Sequence, residues 1–325
     1  MAELSKKIRF YDEEKLKLIN PETLKLWKKY EIDMTLRELS PKSIYGYYND
    51  LTQWWIYIYD NQGNQSIVDL DEDDITEFLY YCKTQGNNSR RMKRRISSIA
   101  AFYKFLRKKR IISENPTEFI DRPKKDTDII TQTFLTKEQV DLMREVLASY
   151  VDTHSNKHYA MQIQCYALLS LSTMARINAI HNIKWDMIDF QNRMINDVLE
   201  KEGYLVTLYF SKEVLDLLEH LRHFRADAQI NDNGFVFVVS KGDEYVQASV
   251  GALTQWCKRV GELIDVPTLH PHDFRHSGAT LLKNNGMSLE DVSALLNHQS
   301  TDVTNKFYIR ADKRKVSENK DIFEV

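Results

Sequence analysis

The chain has 325 residues, 42% of them hydrophobic and 28% charged, with a formal net charge of −2. At roughly 100–200 residues per domain this length predicts two domains, and the composition excludes disordered and fibrous classes. No apolar run of about 18 residues is present to span a bilayer, no apolar core follows the first residues as a secretory signal would require, and Cys82, Cys165 and Cys257 form no CxxC pair. An intracellular, cytoplasmic protein without disulfides, membrane contact or a cysteine-built zinc site is therefore expected.

Taken in chain order, Ser40 and Pro41 predict a capped helix start, followed by Tyr45, Tyr48, Leu51, Trp55 and Ile58 at three- and four-residue steps. A second helix is expected near Asp71, where an acidic first turn suits the helix dipole. Residues 60–78 carry seven acidic residues and no Lys or Arg. Residues 88–125 then carry thirteen Lys or Arg against Glu114, Glu118 and Asp121, a local net of +10. The global charge hides this separation, and a local patch of such density governs the choice of partner. Within it a third helix places Met92, Ile96, Ile99, Tyr103 and Leu106 on one face and Arg90, Arg91, Lys93, Arg94 and Arg95 among its cations. The basic face reads either as a solvated surface or as a nucleic-acid contact.

Residues 115–132, with two prolines and no period, predict a linker and a boundary near residue 125, giving domains 1–125 and 126–325. Thr136 with Gln139 predicts a capping box, and MQIQCYALLSLSTM a largely apolar helix. MINDV, YLVTLYF and GFVFVVS, separated by EKEG and by a polar stretch, predict one small antiparallel sheet. From residue 249 the pattern is helical again. The expected fold class is mainly α, a helical N-terminal domain followed by a mainly helical domain with a small sheet.

Four groups of residues can carry chemistry. His270, His272, Arg275 and His276 are compatible with a metal site, a structural histidine cluster or an anion site. Arg275 disfavours a cation there, and His272 and Arg275, three apart on a helical turn, suit a phosphate. Arg176 falls where an apolar helix ends and a shorter one begins, the position of a partly buried ion pair or of an anion ligand. His298 follows an apolar turn with Tyr308 ten residues later, and Lys201 lies between two strands. Each of these last three also has an ordinary packing or solvated reading.

In this order the groups resemble the tyrosine recombinase (phage integrase) family. Its pattern is an Arg in a G-x-R-x-x-E-like box, a hairpin Lys, H-x-x-R-H, an L-G-H box and a Tyr nine or ten residues after that His. The matches are Ala175-Arg176 with Ile183-Lys184-Trp185, then Lys201, His272–Arg275–His276, Leu296-Asn297-His298, and Tyr308. RRMKRRISSIAAFYKFL with the later NP is similar to the family's core-binding (SAM-like) domain, so the resemblance spans roughly residues 35–315. Two positions depart from the pattern. Ala179 stands where the box carries Glu, leaving that region without its buried partner, and Asn297 replaces Gly.

The resemblance implies strand cutting and rejoining, with Tyr308 attacking a DNA phosphate to give a 3′-phosphotyrosyl enzyme and a 5′-hydroxyl. Arg176 and Arg275 would clamp the phosphate, His272 would accept the tyrosine proton or bind an oxygen, His298 would donate to a non-bridging oxygen, and Lys201 would protonate the leaving 5′-oxygen. Lys184 and Lys212 are other candidates for that last role. No cofactor or metal is required by such chemistry. Double-stranded DNA is the expected partner, held by both domains as a clamp, with nucleoid association as a consequence. A homotetramer is expected on DNA, linked through the C-terminal tail with its apolar Ile322, Phe323 and Val325. Integration or excision of a mobile element is the expected task, ahead of Xer-like chromosome-dimer resolution or inversion. Competing readings are a DNA-binding protein without catalysis, a topoisomerase of type IB, and a zinc hydrolase built on His270, His272 and His276.

Overall fold

Helices in the first part of the chain begin where short polar side chains take up backbone N–H groups that the first turn leaves unpaired. The computed structural model describes residues 11–124, 134–200 and 203–296. Within it α1 (Glu13–Lys17), α2 (Pro21–Leu36) and α3 (Pro41–Asn61) follow one another, then α4 (Glu72–Thr84) and α5 (Ser89–Lys108). Ser40 Oγ accepts from Ser43 N at 3.2 Å, with Pro41 at the first helical position as expected. Asn20 and Pro21 start α2 in the same manner. Asp71 and Asp74 cap α4 reciprocally, so part of the acidic run serves to start a helix.

The chain divides into two compact units, Met1–Thr131 and Gln132–Val325. The boundary expected at residue 125 lies outside the described residues. In the first unit, the α5 stripe of Met92, Ile96, Ile99, Tyr103 and Leu106 is buried with Trp27, Trp54, Trp55 and Phe102. Tyr30 stacks on Phe102 with ring centroids 5.1 Å apart, and Tyr103 donates its hydroxyl to Ile67 O at 2.8 Å. Tyr45 departs from the expected stripe: it is 63% exposed, whereas Leu51, Trp55 and Ile58 are buried.

The second unit is built around one apolar helix. After α6 (Lys137–Thr153), started by the Thr136–Gln139 capping box, comes α7 (Lys157–Thr173) and the short α8 (Ile177–His181). Most residues of α7 are buried, which is why its sequence is apolar all round rather than on one stripe. Strands β1 (Ile188–Asp189), β2 (Met194–Leu199) and β3 (Leu205–Tyr209) form an antiparallel sheet in that order. Then come α9 (Lys212–Asp227), β4 (Val238–Lys241), β5 (Glu244–Gln247), α10 (Val250–Leu263), α11 (Pro271–Asn284) and α12 (Leu289–Leu295).

The single sheet expected from the sequence is thus two sheets. Of GFVFVVS only residues 238–240 enter a strand, β4, and this pairs with the strand immediately after it instead of joining β2 and β3. Its Val236 and Phe237 go into the core. The stretch read as polar is α9, whose Val214, Leu218 and Leu221 recur at four- and three-residue steps and are buried. Among the described residues no helix is long and apolar enough to cross a membrane. All three cysteines are free and buried, and burial pushes the Cys82 and Cys165 thiols up to about 11 and about 12.

A buried cation secures α9 to α7. Arg225, 2% exposed, donates to His158 Nε2, Gln162 Oε1, Asp232 Oδ2 and the carbonyls of Phe235 and Val236 at 2.8–3.0 Å. His158 must be unprotonated at Nε2 to accept this bond. Burial, and then the Arg225 charge, lower its pKa to about 4. The unfolded chain takes up the proton near 6.5 and the folded chain does not, so stability is lost as pH falls from about 6.5 toward 4, by at most about 1.4 kcal/mol per pH unit. Urea unfolding at pH 7, 6 and 5 should show a steeper loss for the native chain than for His158→Gln. Equal slopes would contradict the assignment.

Candidate active site

Helix α7 ends in a left-handed residue that is not glycine. Met174 has φ +54°, and its N–H donates to Ser170 O at 3.1 Å. Such a conformation costs of order 1 kcal/mol and persists only when the surroundings fix it. Two contacts do so. Arg275 Nη1 donates to Met174 O at 2.6 Å, and α11 lies so close that a Cβ on Gly278 would come within 2.5 Å of Leu171 O and 2.6 Å of Met174 Cγ. Glycine at 278 therefore allows the approach. The left-handed turn sends the chain into Arg176, the extended N-cap of α8, which confirms the helix break expected at this arginine.

Arg275 is 2% exposed and also donates Nη2 to Leu296 O at 2.7 Å. These carbonyls engage two of its five N–H donors and set the plane of the guanidinium. The start of α11 carries the histidine-rich motif. His270 Nδ1 accepts from His272 N at 3.4 Å, and His270 N donates to Asp273 Oδ2 at 2.7 Å. Desolvation comes first, and then the charges of His270, Arg275 and Arg176, in holding the His272 pKa below the usual imidazole value. Arg275 bonds to the carbonyl of Met174, two residues before Arg176, and His272 stands three residues before Arg275 on α11, where both arginines act on it electrostatically. His272 is consequently a neutral imidazole at pH 7, able to accept a proton.

The structure corrects the expectation that Ala179 leaves this region without a buried acid. Glu200, at the end of β2, forms an ion pair with Arg176, the carboxylate side chain being 6% exposed and the arginine 32%. The sequence signal is an acid directly before the hairpin lysine in EKEG. Lys201, His298 and Tyr308 lie outside the described residues, as does the C-terminal tail. Of the other lysines weighed, Lys184 places Nζ 5.1 Å from the Phe235 ring centroid, and Lys212 is the exposed first residue of α9. Among the described residues no three His, Cys, Asp or Glu side chains converge to hold a metal, so His270, His272 and His276 do not form the zinc site of the competing reading.

The basic helix α5 separates into two sets. Arg90, Arg91 and Arg94 are exposed and Lys93 is half-buried. Arg94 is oriented by the buried Asp50, whose Oδ2 accepts from Arg94 Nε at 2.8 Å and from Ser98 Oγ at 2.9 Å. Arg95 was expected on the same outer face and is instead 1% exposed. It donates to Asn87 Oδ1 at 3.1 Å and Gln53 Oε1 at 2.7 Å, and it lies over the Phe78 ring. The reason is helical phase: Arg95 stands three residues after Met92 and four before Ile99, within the buried stripe.

Comparisons with known proteins bear on the family and the fold. Residues 133–315 match the phage integrase family, and residues 28–110 match the phage integrase N-terminal SAM-like domain. Tyrosine recombinase XerC of Pediococcus pentosaceus is 26% identical over 312 residues, 92% of this chain and 96% of that protein. Tyrosine recombinase XerD of Oceanobacillus iheyensis is 26% identical over 82% of this chain and 87% of its own length. In fold, the chain is similar to the XerH site-specific recombinase bound to palindromic difH substrate, with TM-score 0.70, 18% identity, and 89% of this chain and 82% of that chain covered. It is also similar to the Tn1549 transposon integrase in complex with transposon right end DNA, with TM-score 0.63, 18% identity, and coverage of 93% and 99%. With more than half of its residues matched to the family and a helical N-terminal domain of the expected kind, the chain belongs to the phage integrase family and is a tyrosine-type site-specific DNA recombinase.

Proposed function

We propose that the chain cuts and rejoins DNA through Tyr308, at a phosphate held by Arg176 and Arg275, in the integration and excision of a mobile element. The observation that carries the chemical part is the bond from Arg275 to Met174 O, which ties the histidine-bearing helix α11 to the turn that leads into Arg176. A phenol with a pKa of about 10 is a weak nucleophile at pH 7 and needs both proton removal and a neutralised target. In the first step the Tyr308 oxygen bonds to phosphorus and the bond to the 5′-oxygen breaks. The tyrosine proton passes to His272, whose lowered pKa keeps it available as an acceptor. Lys201 gives a proton to the departing 5′-oxygen, and His298 donates a hydrogen bond to a non-bridging oxygen. The two guanidiniums balance the charge of the pentacoordinate state, each charge-assisted bond contributing roughly 1.5–3 kcal/mol. Attack by a 5′-hydroxyl on the phosphotyrosine then reverses the step and restores Tyr308.

The mobile-element task draws support from the likeness to a transposon integrase along nearly the whole of that protein. A second reading, chromosome-dimer resolution, is favoured by curated relatives named XerC and XerD. Nicked duplexes tiled from DNA flanking the gene, incubated with the protein in EDTA, test both levels. A denaturant-resistant adduct is expected with the native chain and not with Tyr308→Phe, and an adduct that survives Tyr308→Phe would contradict the choice of nucleophile. A cleavage site at an element–chromosome junction is the expected outcome, whereas a single chromosomal site away from any element would favour resolution.

The exposed α5 cations Arg90, Arg91 and Arg94, with the half-buried Lys93, are assigned to phosphate and base contacts on the duplex, and Arg95 to the domain core. Binding should weaken with salt at a log–log slope of about −0.9 per phosphate contact. Arg91→Ala is expected to reduce that slope by about one contact, while Arg95→Met leaves it unchanged and lowers the unfolding midpoint instead. The reverse pattern would contradict the division.

A further inference from the structure

We propose that Glu200 is a positioning residue for Arg176, supplying from the β2–β3 hairpin the carboxylate that Ala179 does not supply from α8. The inference rests on the phosphate-clamp reading given above for Arg176. Three observations support it. First, the Glu200 side chain is 6% exposed and forms an ion pair with Arg176. A carboxylate that deep is retained only against a strong partner, because desolvation otherwise costs several kcal/mol. Second, the backbone of Glu200 is fixed: its N–H donates to Tyr204 O at 3.0 Å and its carbonyl accepts from Gly203 N at 3.0 Å. Gly203 takes φ +82°, which closes the loop there. The carboxylate is therefore presented from a rigid point rather than from a free side chain. Third, Ala179 is 1% exposed on the first turn of α8, three residues after Arg176 and so on the same side of that turn. That buried position holds a methyl group, so α8 supplies no carboxylate there.

The arrangement has a consequence for the reaction. A guanidinium offers its donors in a rigid plane, so an anion bound on one edge sets the direction of the others. Arg176, with 32% of its side chain exposed, is the more accessible of the two clamp arginines, and the ion pair with Glu200 holds it as main-chain carbonyls hold Arg275.

The test uses the full chain and a nicked duplex bearing its mapped cleavage site, read by single-turnover adduct formation, DNA affinity and thermal unfolding. Glu200→Gln preserves shape and removes the charge. It is expected to slow adduct formation on the order of 100-fold, the effect of misplacing a reacting group by about an ångström, with DNA affinity held within about threefold. Adding Ala179→Glu to Glu200→Gln is expected to restore at least tenfold of that loss, because the carboxylate returns to the guanidinium from α8. A native rate in folded Glu200→Gln overturns the inference, as does a loss that Ala179→Glu leaves unrelieved. Should Glu200→Gln fail to fold, Glu200→Asp keeps the charge and withdraws it by one methylene. A slower rate at an unchanged melting temperature is then expected, and an unchanged rate overturns the proposal. Failure of the native chain to form any adduct would instead overturn the clamp reading on which the inference rests.

Discussion

The catalytic unit depends on one buried guanidinium. Arg275 donates to Met174 O, the C-cap of α7, and to Leu296 O, the C-cap of α12. Both acceptors are carbonyls at helix C-termini, where the last turn leaves oxygens unpaired and the helix dipole is negative. A cation is the natural partner for two such ends at once. The bonds offset the cost of burying the charge, and they join three helices at a point. The left-handed Met174 and the glycine at 278 follow from this, since α11 must approach α7 closely enough for the arginine to reach the carbonyl. The same turn delivers Arg176 to the N-terminus of α8, so a stabilising interaction and the placement of the proposed phosphate ligand have one origin.

Charge in the first unit is distributed by a similar logic. The net of −2 conceals an acidic stretch and a basic helix that follow each other in sequence. Part of the acidic stretch caps α4, and the buried Asp50 orients Arg94 on α5. The helix therefore presents some cations outward in fixed directions and keeps one, Arg95, for its own core. Sequence density identified the surface; helical phase decided which residues belong to it.

What could be read from the sequence was whatever local chemistry determines. Caps at Ser40 and Thr136, the acidic helix start near Asp71 and the stripe on α5 follow from backbone satisfaction, the helix dipole and periodicity within one element. Arg176 and His272 each stand beside a helix start with its own signature, and Arg275 follows His272 one turn on. Helix α9 was hidden by its many charges, although Val214, Leu218 and Leu221 keep its period. The separation of β4–β5 from the first sheet depends on which strand is nearest in space, and composition alone does not say so. Glu200 was missed for a related reason. Its partner is distant in sequence, and an acid beside a hairpin lysine looks like any solvated turn until the fold buries it.

The central claim is that Arg176 and Arg275 act on one phosphate as a unit. The direct measurement is a double-mutant cycle on single-turnover adduct formation with Arg176→Lys, Arg275→Lys and the double variant, each checked for folding. The account predicts strong non-additivity: each single change should cost nearly as much as both together, because a clamp with one misplaced member no longer holds the pentacoordinate state. Costs that simply multiply in the double variant would contradict it and assign the two arginines to independent tasks.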